Sequence, residues 1–285
     1  MIFNLRNTIG ARKGIITEDS FSFDGDYLFT SDENGNFELA LLESGALEWY
    51  VDPGAVDLFL VGAGRDGGTA FFSGGGSGGY MYNDSYINSG KGGDGGRTMT
   101  ESGVTLGSSC TVVVGSSGAD SSILSNGVLH TSANAPAPIS GGRGAEMRQR
   151  TNSVGSVNKG GSDGVLAYNA DVDETMIPAL AGVLFAPSGG GGDANNNGYV
   201  DSVGVYHDTP VYTDTSQDSS RAAGQTGAGA GGERTHKAGY DATGYGAGGG
   251  GGYGDGSNGS PGTAGVGGAG SDGIILIRNH KEASA

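Results

Sequence analysis

Short apolar runs bounded by glycine recur along this chain, and their pattern predicts β-strands. Most runs either alternate apolar and polar residues or are apolar throughout, as strands with one or two buried faces are. Few stretches carry apolar residues at the three-to-four spacing of an amphipathic helix. The predicted strands are residues 21–29, 37–42, 47–50, 56–61, 79–82, 99–106, 110–114, 122–124, 128–130, 165–168, 180–185, 203–206 and 273–278.

Glycine occupies every third position from Gly256 to Gly268. That spacing suits an extended left-handed helix with three residues per turn, in which every third residue faces a neighbour too close to tolerate a Cβ atom. Such a helix has no internal hydrogen bonds, so its amides must pair with adjacent segments. Collagen is excluded because the chain holds only 7 prolines and loses the period after each short stretch.

Several glycine runs are predicted to pack together as polyglycine-II rods. Apolar or aromatic residues bracket them, which argues against the alternative that they are flexible linkers. The runs are residues 74–79, 90–96, 189–192, 224–232, 244–254 and 256–270. The predicted fold class is therefore mainly β, with antiparallel strands combined with packed polyglycine-II helices and little or no α-helix.

A change in composition near residues 52–54 suggests how the chain is organised. Glycine is ordinary before this point and pervasive after it, up to the last predicted strand. We predict an N-terminal β attachment region at 1–52, a glycine-rich domain at 53–278 and a short tail at 279–285. The first residues lack the pattern of a signal peptide, and no apolar run approaches the roughly eighteen residues of a membrane span. Synthesis in a cytoplasm without membrane insertion is expected.

The formal net charge of −16 disfavours nucleic acid and anionic membranes as partners. The one basic cluster lies in a loop rich in glycine, proline and serine, and it is interpreted as a solvated loop; its members are Arg143, Arg148, Arg150 and Lys159. The single cysteine, Cys110, excludes an intramolecular disulfide. It precedes a β-branched run and is predicted to be a strand residue rather than a nucleophile.

Two patterns that suggest enzymes are not supported by their context. Residues 62–67 read GxGxxG after a predicted strand, but a dinucleotide site needs a helix after the third glycine, and the glycine-rich continuation cannot form one. No cofactor is therefore predicted. The four histidines, His130, His207, His236 and His280, show no metal-ligand spacing, and no serine lies in a nucleophile elbow. We do not predict an enzyme.

A polar stretch at residues 193–201 is similar to a calcium-binding loop. Its oxygen-bearing side chains occupy positions 1, 3, 5 and 9, with glycine at position 6. Position 12 is Gly204, where a bidentate carboxylate is required, so two interpretations stay open: a polar turn or a weak Ca²⁺ site. The metal ligands would be Asp193, Asn195, Asn197 and Asp201.

Clusters of aromatic, carboxylate and amide side chains interrupt the glycine runs. Aromatic faces stack on sugar rings, and carboxylates and amides bind hydroxyl groups, so the clusters suit glycan recognition. The alternative is that tyrosines cover bare glycine backbone. The candidate receptor-binding residues are Tyr82, Asp84 and Tyr86 in one cluster and Asn195, Tyr199, Asp201, Tyr206, His207, Asp208 and Tyr212 in another. Tyr240, Tyr245 and Tyr253 punctuate the later runs.

The order of several short motifs resembles a glycine-rich domain common in tail-fibre and tail-tip proteins of tailed bacteriophages. Residues 41–49 and 56–64 are similar to its opening, residues 92–98 and 111–115 continue the similarity, and residues 273–278 resemble its closing strand. Long-tail-fibre adhesins of T-even-like phages are similar in style. Their glycine runs form packed polyglycine-II layers, and the loops between the layers recognise host surfaces.

The resemblance implies a virion protein, a tail-fibre or tail-tip adhesin that binds a glycan or another receptor on the host surface. Other tail or fibre proteins would be its partners, and a homotrimer is expected for a fibre component although no interface is encoded. Two alternatives stay open. One is a structural virion protein of the head fibre, decoration or baseplate class that binds no receptor. The other is an ice-binding protein, although the threonine arrays that it needs are missing.

Overall fold

The computed structural model of this protein has two five-stranded antiparallel sheets. It describes residues 15–73, 86–88, 90–136, 141, 146–148, 153–156, 175–192, 194–196, 199–200, 206–207, 227–232, 236, 238–257, 260–261 and 264–280. The strands in these ranges are β1 (Phe21–Phe23), β2 (Tyr27–Ser31), β3 (Phe37–Leu41), β4 (Gly45–Trp49), β5 (Ala55–Val61), β6 (Phe71–Ser73), β7 (Tyr86–Asn88), β8 (Thr98–Thr105), β9 (Ser109–Val113), β10 (Ser122–Ser125), β11 (Val128–Thr131), β12 (Glu146–Arg148), β13 (Ser153–Ser156), β14 (Ala194–Asn196), β15 (Tyr199–Val200), β16 (Tyr206–His207), β17 (Gly254–Ser257), β18 (Ser260–Pro261) and β19 (Ile274–Asn279).

The outer sheet has the strand order β1-β4-β9-β10-β11. Its strands follow the alternation expected when one face is buried. In β9, Cys110 and Val112 are buried, whereas Ser109, Thr111 and Val113 are exposed. Cys110 is therefore a buried strand residue, as predicted, and burial raises the pKa of its thiol.

The central sheet has the strand order β2-β3-β19-β5-β8 and is buried on both faces along its three middle strands. Strand β19 pairs antiparallel with β3 on one side and with β5 on the other. Continuous apolar runs such as residues 274–277 are the sequence signal for burial on two faces.

A hydrophobic core fills the space between the two sheets. Trp49 lies at one end of it, with ring centroids 5.5 Å from Phe21 and 6.0 Å from Phe37. Full burial of an aliphatic side chain contributes about 1.5–3 kcal/mol to the free energy of unfolding. The members include Leu39, Leu41, Leu58, Leu60, Ile275 and Ile277 of the central sheet and Leu47, Val112 and Ile123 of the outer sheet.

The other face of the central sheet packs against a connection at residues 177–186. Phe185 contacts Phe59 with ring centroids 5.4 Å apart, and Ile177 and Leu180 join the same cluster. The predicted strand at 180–185 is wrong here. Its first residue ends a short 3-10 helix, Pro178–Leu180, and a turn follows in which Gly182 has a φ of 71° that other residues rarely adopt.

Glycine-rich segments leave the central sheet and pack side by side, and we call them the glycine bundle. They are extended, and the amides of successive donors in one segment lie three residues apart. Residues 90, 93 and 96, for example, donate to the carbonyls of residues 252, 249 and 246 at 2.7–2.8 Å. The segments of the bundle are residues 62–68, 90–96, 186–192, 227–232, 238–242, 246–253 and 264–273.

The segment at residues 246–253 lies in the middle of the bundle and is buried. Its successive residues form backbone hydrogen bonds with different neighbouring segments. Gly248, Gly249 and Gly250 donate to the carbonyls of Pro187, Arg65 and Tyr240 and accept from the amides of Gly229, Gly93 and Gly268, respectively. Six segments therefore surround this one, and backbone hydrogen bonds join it to each of them.

Close backbone packing requires glycine at these positions. A Cβ atom on Gly250 would overlap the carbonyl oxygen of Ala230, and one on Gly67 would overlap the carbonyl oxygen of Gly250. Along residues 248–252 the interior of the bundle is thus built from backbone, whereas the sandwich core is built from side chains.

Short strands lie where the bundle segments end. Strands β13-β12-β7-β6 form an antiparallel sheet, β14 pairs parallel with β17, which also pairs with β18, and β15 pairs with β16. Within the predicted rod at 256–270, Gly256 instead pairs antiparallel with Pro261, and residues 264–270 belong to the glycine bundle. The residues between Ser257 and Ser260 are Asn-Gly, a dipeptide typical of hairpin turns.

The remaining strand predictions have mixed outcomes. The predicted strand at 21–29 is two strands, β1 and β2, in different sheets.

Both sheets contain strands from either side of the predicted boundary at residue 52, since β3 pairs with β19 and β4 pairs with β9. Asn279, in the predicted tail, pairs with Val56. The predicted strands 79–82 and 165–168 and the glycine run 74–79 lie outside the described residues. Within those residues there is no α-helix, only three 3-10 helices of three residues each, and the mainly β, antiparallel fold class is confirmed.

Candidate binding surface

The glycine bundle has two different ends. At one end its segments continue into the central sheet, through Gly62 after β5, Gly96 before β8 and Gly273 before β19. At the other end they lead into the short strands β6, β7, β14 and β17. We call this second end the distal end.

Backbone hydrogen bonds join four segments at the distal end. The amide of Gly252 donates to Gly68, that of Gly90 donates to Gly252, and that of Gly192 donates to Gly90, all at 2.8–2.9 Å. A further bond from the Gly265 amide to the Tyr253 carbonyl brings the chain back after the hairpin of β17 and β18. The strands beyond these residues therefore start from fixed positions.

The first predicted cluster is placed in part. Tyr86 is the first residue of β7, opposite Ser73 of β6 on one side and Arg148 of β12 on the other. Tyr82 and Asp84 lie outside the described residues. Arg148, assigned to a solvated loop from the sequence, is instead the last residue of a strand.

The second predicted cluster is spread over three strands. Asn195 in β14 is opposite Asp255 of β17, and in the β15–β16 pair Tyr199 is opposite His207 and Val200 is opposite Tyr206. The structure does not describe Asp201, Asp208 or Tyr212.

Strands from the two clusters are neighbours although they are far apart in sequence. Strand β14, which holds Asn195, lies within 8 Å of β7, which holds Tyr86, and of β12, measured between Cα atoms. Strand β17 also lies within that distance of β6 and β7. The distal end thus brings one strand from each predicted cluster close to the other.

The calcium hypothesis remains a prediction. Of its four ligands only Asn195 lies in a described strand, and Asp193, Asn197 and Asp201 lie outside the described residues. Within the described part of the chain, no group of three or more histidine, cysteine, aspartate or glutamate side chains could hold a metal ion.

The three late tyrosines have different environments. Tyr253 is 1% exposed, so it fills space at the distal end. Tyr245 is partly buried and stacks on Phe185. Tyr240 is 41% exposed and stacks on His236, with ring centroids 4.4 Å apart and an angle of 27° between the planes. Two of the three rings are therefore largely covered within the fold, and that of Tyr240 is exposed. The contact with His236 could not be predicted, because the histidines are scattered along the sequence.

Among the residues whose burial the structure describes, three charged groups lie buried in the sandwich. Glu38, Arg278 and Asp57 are neighbours across β3, β19 and β5. Burial raises the pKa of Glu38, against the opposing effect of hydrogen bonds to its Oε2 from the Met176 amide and the Thr175 hydroxyl and of the Arg278 charge.

Two histidine–carboxylate pairs connect different strands of the sandwich. His280 Nδ1 lies 2.7 Å from Asp57 Oδ1, and His130 Nδ1 lies 2.7 Å from Glu101 Oε2. Because β11 and β8 belong to different sheets, the second pair ties the two sheets together. The two pairs therefore connect different parts of the sandwich.

Comparison with known proteins finds no matching protein family, no similar curated protein and no similar solved structure. In the described ranges, no helix has the length and apolar character that a membrane span needs.

Proposed function

We propose that this protein is a bacteriophage virion protein, a tail-fibre or tail-tip adhesin that presents loops from a glycine-rich scaffold to the host cell surface. The observation that carries the proposal is that the two ends of the bundle differ in structure. Its segments join a conventional β-sandwich at one end and lead into short strands at the other. Such an arrangement supports attachment at the sandwich and recognition at the distal end.

We also propose that the bundle segments are polyglycine-II helices. The three-residue spacing of donors and the three directions addressed by Gly248, Gly249 and Gly250 are what a threefold extended helix requires. At about 3.1 Å per residue, seven residues would hold the distal strands about 20 Å from the central sheet. Side-chain motion could not shorten this spacer along residues 248–252, because that stretch of its interior is glycine backbone.

A glycan is the receptor class that the tyrosine and asparagine residues of the two predicted clusters suit best. Tyr86, Tyr199 and Tyr206 supply aromatic rings, and Asn195 supplies an amide for hydroxyl groups. The partners on the particle side would be other tail or fibre proteins, and the oligomer would be a homotrimer as the resemblance to fibre proteins implies. The net charge of −16 favours a soluble virion component over a nucleic-acid or membrane binder.

Binding of the fluorescently labelled full-length protein to a panel of bacterial strains tests the proposal. We expect saturable binding to a subset of strains and competition with infection by the phage that carries the protein. The variant Asn195→Ala combined with Tyr199→Ala should weaken binding by about tenfold or more. Tyr50→Ala, which removes an exposed tyrosine from the sandwich end, is the matched control and should bind normally.

Incorporation into capsids or baseplates without binding to any cell that the phage infects would contradict the adhesin proposal. That result would instead support the alternative of a structural virion protein. Ice binding predicts thermal hysteresis, which the adhesin proposal does not.

A further inference from the structure

An exposed aromatic pair lies on the side of the glycine bundle, away from both predicted receptor clusters in the sequence. Tyr240 and His236 stack with ring centroids 4.4 Å apart, and Tyr240 remains 41% exposed. Its two counterparts in the later glycine runs, Tyr245 and Tyr253, are partly or fully buried. Tyr240 is therefore the one late tyrosine whose ring is available to a ligand.

The backbone that carries Tyr240 is fixed from both sides. Its amide donates to the Ala230 carbonyl at 2.8 Å, and its carbonyl accepts from the Gly250 amide at 2.9 Å. The preceding residue, Gly239, donates to Val266 at 2.8 Å. Three neighbouring segments thus hold the ring's attachment point, and a tyrosine has few side-chain torsions to order on binding. A preorganised aromatic ring loses little entropy when a ligand binds.

Residues next to Tyr240 along the chain and across one backbone hydrogen bond carry polar and apolar groups suitable for a sugar. Asp241 follows in sequence, and its Oδ1 accepts from the Ala269 amide at 2.7 Å, which fixes the carboxylate and leaves lone pairs for further hydrogen bonds. Val266, joined to Gly239 by the backbone hydrogen bond, is 59% exposed. The combination of an aromatic face, an apolar side chain and a held carboxylate matches the two kinds of surface that a pyranose presents.

We propose that the His236–Tyr240 pair, with Asp241, is a carbohydrate-binding subsite on the side of the bundle that takes a neutral pyranose of a host-surface glycan. The aromatic pair would stack on the sugar's C–H face, and the Asp241 carboxylate would accept hydrogen bonds from its hydroxyl groups. The fixed carboxylate and the net charge of −16 disfavour acidic sugars. This inference rests on the proposed adhesin function and extends its recognition surface from the distal end to the side of the bundle.

A polysaccharide array tests the subsite with the full-length protein. The probes are purified bacterial surface polysaccharides, some neutral and some acidic. We expect the wild-type protein to bind neutral members, and Tyr240→Ala to weaken that binding by about tenfold or more. His236→Ala should weaken it by about threefold, because the tyrosine ring is retained without its stacking partner. Tyr50→Ala serves as the control, since it removes a tyrosine that is 65% exposed on the sandwich, and it should bind as the wild type does.

Amide hydrogen exchange of each variant separates recognition from structure. Unchanged protection at Gly239 and Gly250 together with weaker binding would support the subsite. Binding by Tyr240→Ala equal to that of the wild type, preference for acidic polysaccharides, or no binding of the wild type to any probe would overturn it. If protection falls in Tyr240→Ala, the His236→Ala variant decides, and wild-type affinity in that variant would likewise overturn the subsite.

The strain panel distinguishes failure of the subsite from failure of the adhesin proposal. Normal cell binding by Tyr240→Ala with normal array binding contradicts only the subsite. If the wild-type protein binds no strain of the panel, the adhesin proposal itself is contradicted.

Discussion

The sandwich and the glycine bundle are held together by opposite means. In the sandwich, interlocking side chains such as Leu58, Leu60 and Ile275 fill the space between sheets. In the bundle, residues 248–252 of the middle segment are all glycine and have no side chains to bury, and backbone hydrogen bonds connect the segment to six neighbours. A buried region can thus be specified as strictly by the absence of Cβ atoms as by the packing of side chains.

The two regions should also respond differently to small changes. A side-chain core tolerates loss of volume at a moderate cost, because neighbours relax into part of the cavity. A backbone core cannot tolerate added volume, because carbonyl groups joined by hydrogen bonds cannot move aside without breaking them. Trp49, the only tryptophan, lies in the sandwich core and gives that region its own fluorescent signal.

The largest effect is expected for Gly250→Ala. The new Cβ would overlap the Ala230 carbonyl, which cannot retreat without losing its bond from Tyr240. We expect a cost of more than about 4 kcal/mol to the bundle, seen as amide exchange at least about a hundredfold faster across residues 238–253, with the Trp49 signal retained.

The graded control is Gly68→Ala in the same bundle. Its Cβ would come 3.2 Å from the Lys91 amide nitrogen, a distance that small shifts can accommodate. Normal exchange in Gly250→Ala would contradict the backbone-core interpretation.

A moderate effect is expected for Leu58→Ala in the sandwich. Leu58 is fully buried between the sheets, so its truncation leaves a cavity. We expect the free energy of unfolding to fall by about 3 kcal/mol, measured by urea denaturation followed through Trp49 fluorescence. Leu124→Ala makes the same chemical change at a side chain that is 44% exposed, and it should cost less than about 1 kcal/mol. Equal costs for the two variants would contradict the assignment of the core.

A smaller, pH-dependent effect is expected for Glu38→Gln. Burial raises the pKa of Glu38 above its ordinary value of 4.5, so the folded protein binds this proton more tightly than the unfolded chain does. The wild type therefore loses stability as the pH rises from about 4.5 through the raised pKa, and the glutamine variant lacks this loss. Urea denaturation at a series of pH values checks the difference between the two proteins. A difference that does not change with pH would contradict the shift.

The smallest effect is expected for Lys91→Ala on the surface of the bundle. Lys91 Nζ lies 2.9 Å from Asp94 Oδ1, but the lysine side chain is 53% exposed. Exposed ion pairs contribute little, so we expect a change of less than about 0.5 kcal/mol in the free energy of unfolding. The same Asp94 oxygen accepts from the Gly141 amide at 2.8 Å and would keep that bond. A change larger than about 1 kcal/mol would mean that side chains contribute more to the bundle than the comparison allows.

The sequence was sufficient to predict most strands of the sandwich. The alternation around Cys110 and Val112 predicts one buried face for β9, and the run Ile274–Ile277 predicts two buried faces for β19; the structure has both. It could not indicate which strands are neighbours. Nothing local shows that β19 enters the sheet between β3 and β5, because that choice depends on contacts between distant parts of the chain.

The glycine pattern was informative and misleading in different places. Residues 248–252 are all glycine, so no period is visible in the sequence, yet their hydrogen bonds repeat every third residue. The strict period starting at Gly256 begins in a hairpin rather than in a rod. For the candidate surface, the spacing of residues could not show that the strands of Tyr86 and Asn195 are neighbours or that His236 stacks on Tyr240, since each contact depends on how the segments fold back.

The late position of β19 in the chain has a consequence for how the protein is made. Until residues 274–279 leave the ribosome, β3 and β5 each lack the partner on their inner edge, and the gap between them has the width of one strand. Until residues 265–271 are made, the middle segment of the bundle also lacks the hydrogen bonds that their amides donate to it. A chain cut short before β19 would therefore keep two open strand edges, the kind of surface that chaperones and proteases recognise and that leads to aggregation.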